Sequence, residues 1–305
     1  MTRHADSISP ASKKPAIGII GGTGLYDIDG FENPQWVKIE SAFGAPSDEF
    51  LIGDLAGYRL VFLPRHGRGH QIPPTGINYR ANIEALKRAG VDRIVSFSAV
   101  GSLKDEHKPG DFVIVDQYVD RTFAREKSFF GTGFVAHVSM ADPVCATTSA
   151  VIAEAAGEIK LSVHVGGTYL VMEGPQFSSR AESNWYRHLG CDVIGMTNMP
   201  EAKLAREAEL AYATVAMVTD YDCWQEDHDD VTTASIMEVL RNNNVQAHEL
   251  IKAIVPNLGA LRAPFESGVH ESLEHAIATS PEHRDPELTA KLSVVAGRVL
   301  DKPGW

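Results

Sequence analysis

Cysteine is scarce in this chain. Cys145, Cys191 and Cys223 are the only three in 305 residues, they lie far apart, and no Cys-x-x-Cys spacing occurs. Neither a disulfide framework nor a cysteine zinc site is indicated, and a reducing compartment, the cytoplasm, is expected. Positive charge is also short. The 28 Lys and Arg against 40 Asp and Glu give a formal net charge of -12, which argues against nucleic acid or an anionic membrane surface as partner. An anionic small substrate would need a local basic pocket against that field. No apolar run reaches the roughly 20 residues that cross a bilayer. Residues 1–15 are polar and lack an apolar centre, so they read as a disordered leader and not as a signal peptide. What is present is a globular composition, 44% hydrophobic and 22% charged, in a length that suits one large domain or two ordinary ones.

The apolar runs are short, and they stop at small or charged residues. The run 213–218 (ATVAMV) is β-favouring and leads through Thr219 to Asp220 and Asp222. Ligands of open α/β sheets bind outside the carboxyl ends of the strands. In extended backbone, residues two apart share a side, so the two carboxylates are expected to face one ligand. Paired carboxylates resist ionising together, which keeps a proton available to a leaving group. A solvated acidic turn is the plain alternative.

Three other runs end in the same manner. Residues 16–20 (AIGII) stop at Gly21-Gly22-Thr23-Gly24, where bare amides and the Thr23 hydroxyl can cradle an anion. A dinucleotide fingerprint needs G-x-G-x-x-G, and from Gly22 and Gly24 the third glycine falls on Asp27. Residues 59–64 end at Arg65-His66-Gly67-Arg68-Gly69-His70, the local positive charge that the overall balance lacks; arginine grips oxyanions with a two-pronged fork. His66 and His70 are not on a helix, so a metal pair is not supported. Residues 91–97 end in Ser98-Ala99-Val100-Gly101-Ser102, a small turn bearing hydroxyls.

Helices are predicted over 78–89, stopped by Gly90, over 181–189, stopped by Gly190, and over 201–211 and 231–254. Strands are predicted over 112–115, 165–172 and 192–196. Strands alternating with helices imply an α/β fold. No linker or repeat precedes Pro256. Residues 257–305, with helical stretches near 271–278 and 288–299, read as an extension packed on one core.

Taken in order, the segments 17–25 (IGIIGGTGL), 65–67, 78–86 (NYRANIEAL), 99–103, 109–121, 173–183 (EGPQFSSRAES), 196–197 and 219–224 (TDYDCW) resemble the trimeric nucleoside phosphorylase family, in its methylthioadenosine branch. The resemblance spans residues 16–256 and does not extend to the tail. It implies a single-domain nucleoside-phosphorylase fold, a central mixed sheet or barrel flanked by helices. It implies phosphorolysis of methylthioadenosine to adenine and 5-methylthioribose 1-phosphate, with phosphate as co-substrate and no cofactor or metal.

Residue by residue, the resemblance puts phosphate among Thr23, Arg65, His66, Ser98, Ala99 and Thr197. Ser98 stands where many members have threonine. The resemblance sets Met196 against the ribose and Phe177 near the base, and it makes Asp220 and Asp222 the readers of adenine and the source of its proton. Thr233, Ile236 and Met237, with His137 from a neighbouring subunit of a homotrimer, would form the apolar pocket for the 5′ group. The six-oxopurine members carry glutamate and asparagine where this chain has Ser178 and Asp220, which favours a six-amino purine. A methylthioinosine or broader purine nucleoside phosphorylase is the alternative within the family. Outside it stand a histidine-type phosphatase, from Arg65-His66-Gly67 alone, and a non-catalytic nucleotide binder.

Overall fold

A single long strand, β5 (Val91–Ser102), organises the molecule. The computed structural model describes residues 15–22, 24–26, 28–225 and 233–302, without the side chains of 233–236. The expected leader, apart from Pro15, and Thr23 therefore lie outside the described residues. β5 runs parallel to β1 (Ala16–Gly21) as far as Ser96, and parallel to β11 (Ala211–Asp220) on its other side. Beyond Ser96 it leaves β1, and Gly101 and Ser102 pair antiparallel with β10 (Val193–Gly195). This change of neighbour opens the sheet beyond the carboxyl end of β1, the kind of crevice in which α/β sheets hold ligands.

On the β1 side the sheet continues through β4 (Tyr58–Pro64), β3 (Phe50–Leu55) and β2 (Glu32–Val37). On the β10 side it continues through β9 (Thr168–Val171) and β7 (Gln117–Asp120), while β11 also pairs with β6 (Phe112–Val115), which pairs with β8 (Val163–Val165). Among the described residues this is one eleven-stranded sheet with parallel and antiparallel pairs, the mixed α/β architecture expected.

Alternation along β11 shows why the layers form. Tyr212, Ala216 and Val218 point into a cluster with Ile83, Leu86, Leu204 and Val295, from α1 (Tyr79–Arg88), α4 (Asn198–Glu207) and α7 (Ser293–Leu300). Ala213, Val215 and Met217 point the other way, to Ile152, Leu250, Ile251 and Ile254 from α2 (Ala146–Glu158) and α5 (Thr233–Ala260). A strand buried on both faces reads as a continuous apolar run. Helix starts are fixed by side chains: the Asn78 amide oxygen accepts from Ala81 N, and Ser179 and Glu182 form a capping box on α3 (Arg180–His188).

Several expectations need correction. The strand predicted over 165–172 is two strands, because Gly166 and Gly167 take φ of 89° and 126° between them. α5 does not stop before Pro256 but carries it inside the helix to Ala260. The helical stretch expected near 271–278 is instead a short 3-10 helix, Val269–Glu271, followed by turns over 272–276. β2, β3, β7 and α2 have no counterpart among the expected elements. The tail packs on the core through Val295, Ala296 and Val299. It also braces the loop around His137: His137 N donates to Ala276 O at 2.8 Å, Val135 N to Thr279 Oγ1 at 2.9 Å, and Asp285 N to Gly133 O at 2.9 Å. Among the described residues no helix is long and apolar enough to cross a membrane.

Candidate active site

β1 leaves β5 at Ser96, and beyond that point the carboxyl end of β11 and strand β10 pair with the last residues of β5. On one side stand hydroxyls. Ser98 Oγ lies 3.0 Å from Thr197 Oγ1 and 3.0 Å from Tyr169 Oη, while Ala99, next along β5, is exposed. Thr197 precedes α4 without capping it, so its hydroxyl is left to this cluster.

Arg65 directly follows β4, and its fork is engaged by the protein itself. Nε donates to Glu201 Oε2 at 2.9 Å and Nη2 to Glu201 Oε1 at 3.0 Å; Nη2 also donates to Ser96 Oγ, and Nη1 to Phe97 O at 3.1 Å. The two-pronged grip expected for an external anion is made with Glu201, and among the described residues one of the five N–H groups of the guanidinium, on Nη1, is left without an acceptor. Burial opposes the Arg65 charge, but the Glu201 carboxylate outweighs it and moves the pKa up. Ser96 and Tyr212 hydroxyls also donate to Glu201 Oε1, each at 2.7 Å. His66 is buried, with Nδ1 2.8 Å from Ile72 O and its ring stacked 4.3 Å from that of His70. Burial, then the neighbouring Arg65 charge, lowers its pKa to about 4. It is neutral near pH 7, its proton is assigned to the nitrogen facing the carbonyl, and Nε2 offers a lone pair.

On the other side stands the acid pair. Asp220 is the last residue of β11, where the register with β5 slips and Asp220 comes opposite Gly101. A Cβ at Gly101 would stand 3.0 Å from Asp220 Oδ1, so glycine lets the carboxyl lie across β5. Asp220 Oδ2 accepts from Thr219 Oγ1 at 2.7 Å, and Oδ1 from Asp222 N at 2.8 Å. The extended-strand argument does not hold past Asp220, because Asp222 sits in a turn with φ of 54°. The two acids are joined by that backbone N–H instead. Burial raises the pKa of both carboxyls, and the Asp222 charge adds to the rise at Asp220.

Phe177 is half exposed, and Met196 lies against Gly174, where a Cβ would meet its sulfur at 2.5 Å. Trp224 Nε1 donates to Ser102 O at 2.8 Å, and the Arg187 guanidinium stands 3.5 Å over the indole ring. Met237 is half exposed on α5, and the side chains of Thr233 and Ile236 lie outside the described residues. His137 is exposed, on the loop tied to the tail. Among the described residues no group of three or more His, Cys, Asp or Glu is placed to hold a metal.

Sequence reasoning missed Glu201, Tyr169 and the Arg125–Glu173 hub. Glu201 had a signal, since it stands three and four residues before the buried Leu204 and Ala205, on the apolar stripe of α4. Arg125 had none. Its side chain reaches Met196 O at 2.6 Å, Met199 O at 2.7 Å and Glu173 O at 2.7 Å, fixing two of the turns that border the site.

Distance along β5 sets what the arrangement can do. Ser98 and Gly101 are three residues apart, about 10 Å at the rise of a strand. An anion at the hydroxyls and a group at the Asp220 acid are therefore separated by room for a small ring.

The sequence profile described as the Phosphorylase superfamily matches residues 16–256. An S-methyl-5′-thioadenosine phosphorylase from Rhodospirillum rubrum is 57% identical over 293 residues, 96% of this chain and 100% of its own. One from Cereibacter sphaeroides is 58% identical over 287 residues, 94% of this chain and 99% of its own. A crystal structure of methylthioadenosine phosphorylase sourced from an Antarctic soil metagenomic library superposes with a TM-score of 0.88 at 45% identity, covering 93% of this chain and 99% of its own. A mutant adenosine/methylthioadenosine phosphorylase from Schistosoma mansoni, in complex with methylthioadenosine, gives 0.78 at 36% identity, covering 86% and 96%. These matches set the histidine-phosphatase alternative aside: the chain belongs to the Phosphorylase superfamily, in the family it shares with the S-methyl-5′-thioadenosine phosphorylases.

Proposed function

We propose that the chain cleaves S-methyl-5′-thioadenosine with inorganic phosphate, giving adenine and 5-methylthioribose 1-phosphate. The observation that carries this reading is the register of β5 with β11, which sets a hydroxyl cluster at Ser98 and a buried acid at Asp220 on adjacent strands a sugar's length apart.

As the glycosidic bond stretches, positive charge grows on the sugar and negative charge on the base. Asp220, whose proton burial helps to retain, protonates the departing purine; such acid catalysis contributes about 10²–10⁴-fold. Phosphate beneath the sugar, among Thr23, Ser98, Ala99, Thr197 and the free N–H of Arg65, stabilises the cation and attacks the anomeric carbon as an already positioned reactant. His66 presents an acceptor, which suits the P–O–H of hydrogen phosphate. Asp222 accepts from the exocyclic amino group of adenine. Phe177 and Met196 border base and ribose, and Thr233, Ile236 and Met237, with His137 of a neighbouring copy, shape the 5′ pocket.

In this reading residues 16–256 are the catalytic unit, the active form is a cytoplasmic homotrimer, and neither metal nor organic cofactor takes part. The test is to incubate the protein with methylthioadenosine and follow adenine. Adenine release only when phosphate is present is expected. Release at the same rate without phosphate, or none, overturns the proposal. Light scattering during size-exclusion chromatography checks the trimer.

A further inference from the structure

The turn that carries the acids leaves two buried polar atoms unexplained. Asp222 Oδ2 and Ser183 Oγ are shut off from water, and among the described residues neither has a hydrogen-bond partner. Ser183 is fully buried on α3, in the first turn after the Ser179 cap. Alanine would fill an ordinary helix position of that size at no polar penalty, whereas an orphaned hydroxyl costs stability.

α3 is strapped to the acid turn at several points. Arg180 Nη1 donates to Cys223 O at 2.7 Å, the Cys223 thiol donates to Ser178 O at 3.2 Å, and Arg187 covers Trp224. The straps hold α3, and Ser183 with it, against the turn that carries Asp222. After burial, which raises the Asp222 pKa, Ser183 is the strongest influence on that carboxyl, followed by Ser178, and both lower it. The other titratable groups facing Asp222 are Asp220 and Cys223 on its own turn and Glu182 and Tyr186 on α3.

We propose that Ser183 is a positioning residue for Asp222: its hydroxyl donates to Oδ2 of the ionised carboxylate, holding the anion in place to accept the exocyclic amino group of a six-aminopurine. This deepens the proposed function and rests on it. A serine would thus fix the ionisation state by which the site prefers an amino donor over the carbonyl of a six-oxopurine. Asp222 touches the base; Ser183 acts only through Asp222.

The test is titration calorimetry with adenine and with hypoxanthine, from pH 5 to pH 8, on the wild-type chain and on Ser183→Ala and Ser183→Cys. Losing a hydrogen bond to a charged group is expected to weaken adenine about tenfold in Ser183→Ala at pH 7. Hypoxanthine and phosphate affinities should stay as they are, and the acid limb of adenine binding should move to higher pH. A role in packing alone would move none of these in that pattern. The cysteine variant, a weaker donor, should fall between, and it carries the test if the alanine variant does not fold. Wild-type adenine affinity and acid limb in a folded variant, or equal losses for both bases, overturn the role of Ser183. A wild-type chain that binds no adenine overturns the functional reading beneath it.

Discussion

Arg65 and Glu201 form a two-pronged ion pair at the floor of the anion side, Nε to Oε2 at 2.9 Å and Nη2 to Oε1 at 3.0 Å, with both side chains only 2% exposed. Removing one partner of such a pair leaves an uncompensated buried charge, which costs about 3–5 kcal/mol. Glu201→Ala is therefore expected to lower unfolding stability by that order and to raise the KM for phosphate, because Arg65 loses the anchor that fixes it. Urea denaturation and initial rates at varied phosphate check both. Unchanged stability would show that the pair is not sealed from water.

Gly101 is expected to be a position where one added methyl group harms turnover. A Cβ there meets Asp220 Oδ1 at 3.0 Å and Ile194 Cγ2 at 3.2 Å, so Gly101→Ala must displace the acid by a few tenths of an ångström. Turnover should fall at least tenfold, with loss of stability near 1–2 kcal/mol, as for mild overpacking. Asp220→Asn, which keeps the shape and removes the acid, should cut turnover about 10²–10⁴-fold without loss of stability, since a buried carboxyl is exchanged for a neutral amide. Steady-state kinetics and thermal melts on the two variants separate geometry from proton supply.

The strand ends were legible because buried strands announce themselves as apolar runs, and the residues just past the end of such a run open onto a crevice. Asp220, Ser98 and Arg65 were all found in that way. The Gly90 and Gly190 stops made α1 and α3 legible too. Partners were not legible. Nothing local to Arg65 says that its fork will close on Glu201, 136 residues away, or that Asp222 will turn out of the strand. β2 hid behind Asn33-Pro34, and α5 ran through Pro256 because neighbours buried on the sheet, Ile254, Val255 and Leu258, hold the helix where local propensity would stop it.

His66 should make the protein acid-sensitive. Its folded pKa is lowered from 6.5 to about 4, by burial first and by Arg65 second. Between those values the unfolded chain binds a proton that the native state does not, so stability is lost as pH falls from 6.5 toward 4, by up to about 3 kcal/mol. His66→Gln has no such proton to bind. Its stability should decline less between pH 7 and pH 5 than that of the wild type. Parallel declines in urea midpoint would show that His66 titrates normally.

Glu207 has the opposite sign. It is 7% exposed, and its carboxylate oxygens accept from Ser128 Oγ and Phe129 N, each at 2.7 Å. Burial outweighs these two donors and raises its pKa from 4.5 to about 7. Between 4.5 and 7 the native state binds the extra proton, so this group adds stability below that window and loses it as pH rises through it, by up to about 3 kcal/mol. Glu207→Gln is neutral at every pH, and its carbonyl can still accept from Phe129 N. The variant should therefore melt several degrees higher than the wild type at pH 8 and no higher at pH 5. A gain of equal size at both pH values would trace the effect to shape, and no gain at pH 8 would mean that Ser128 and Phe129 already satisfy the anion.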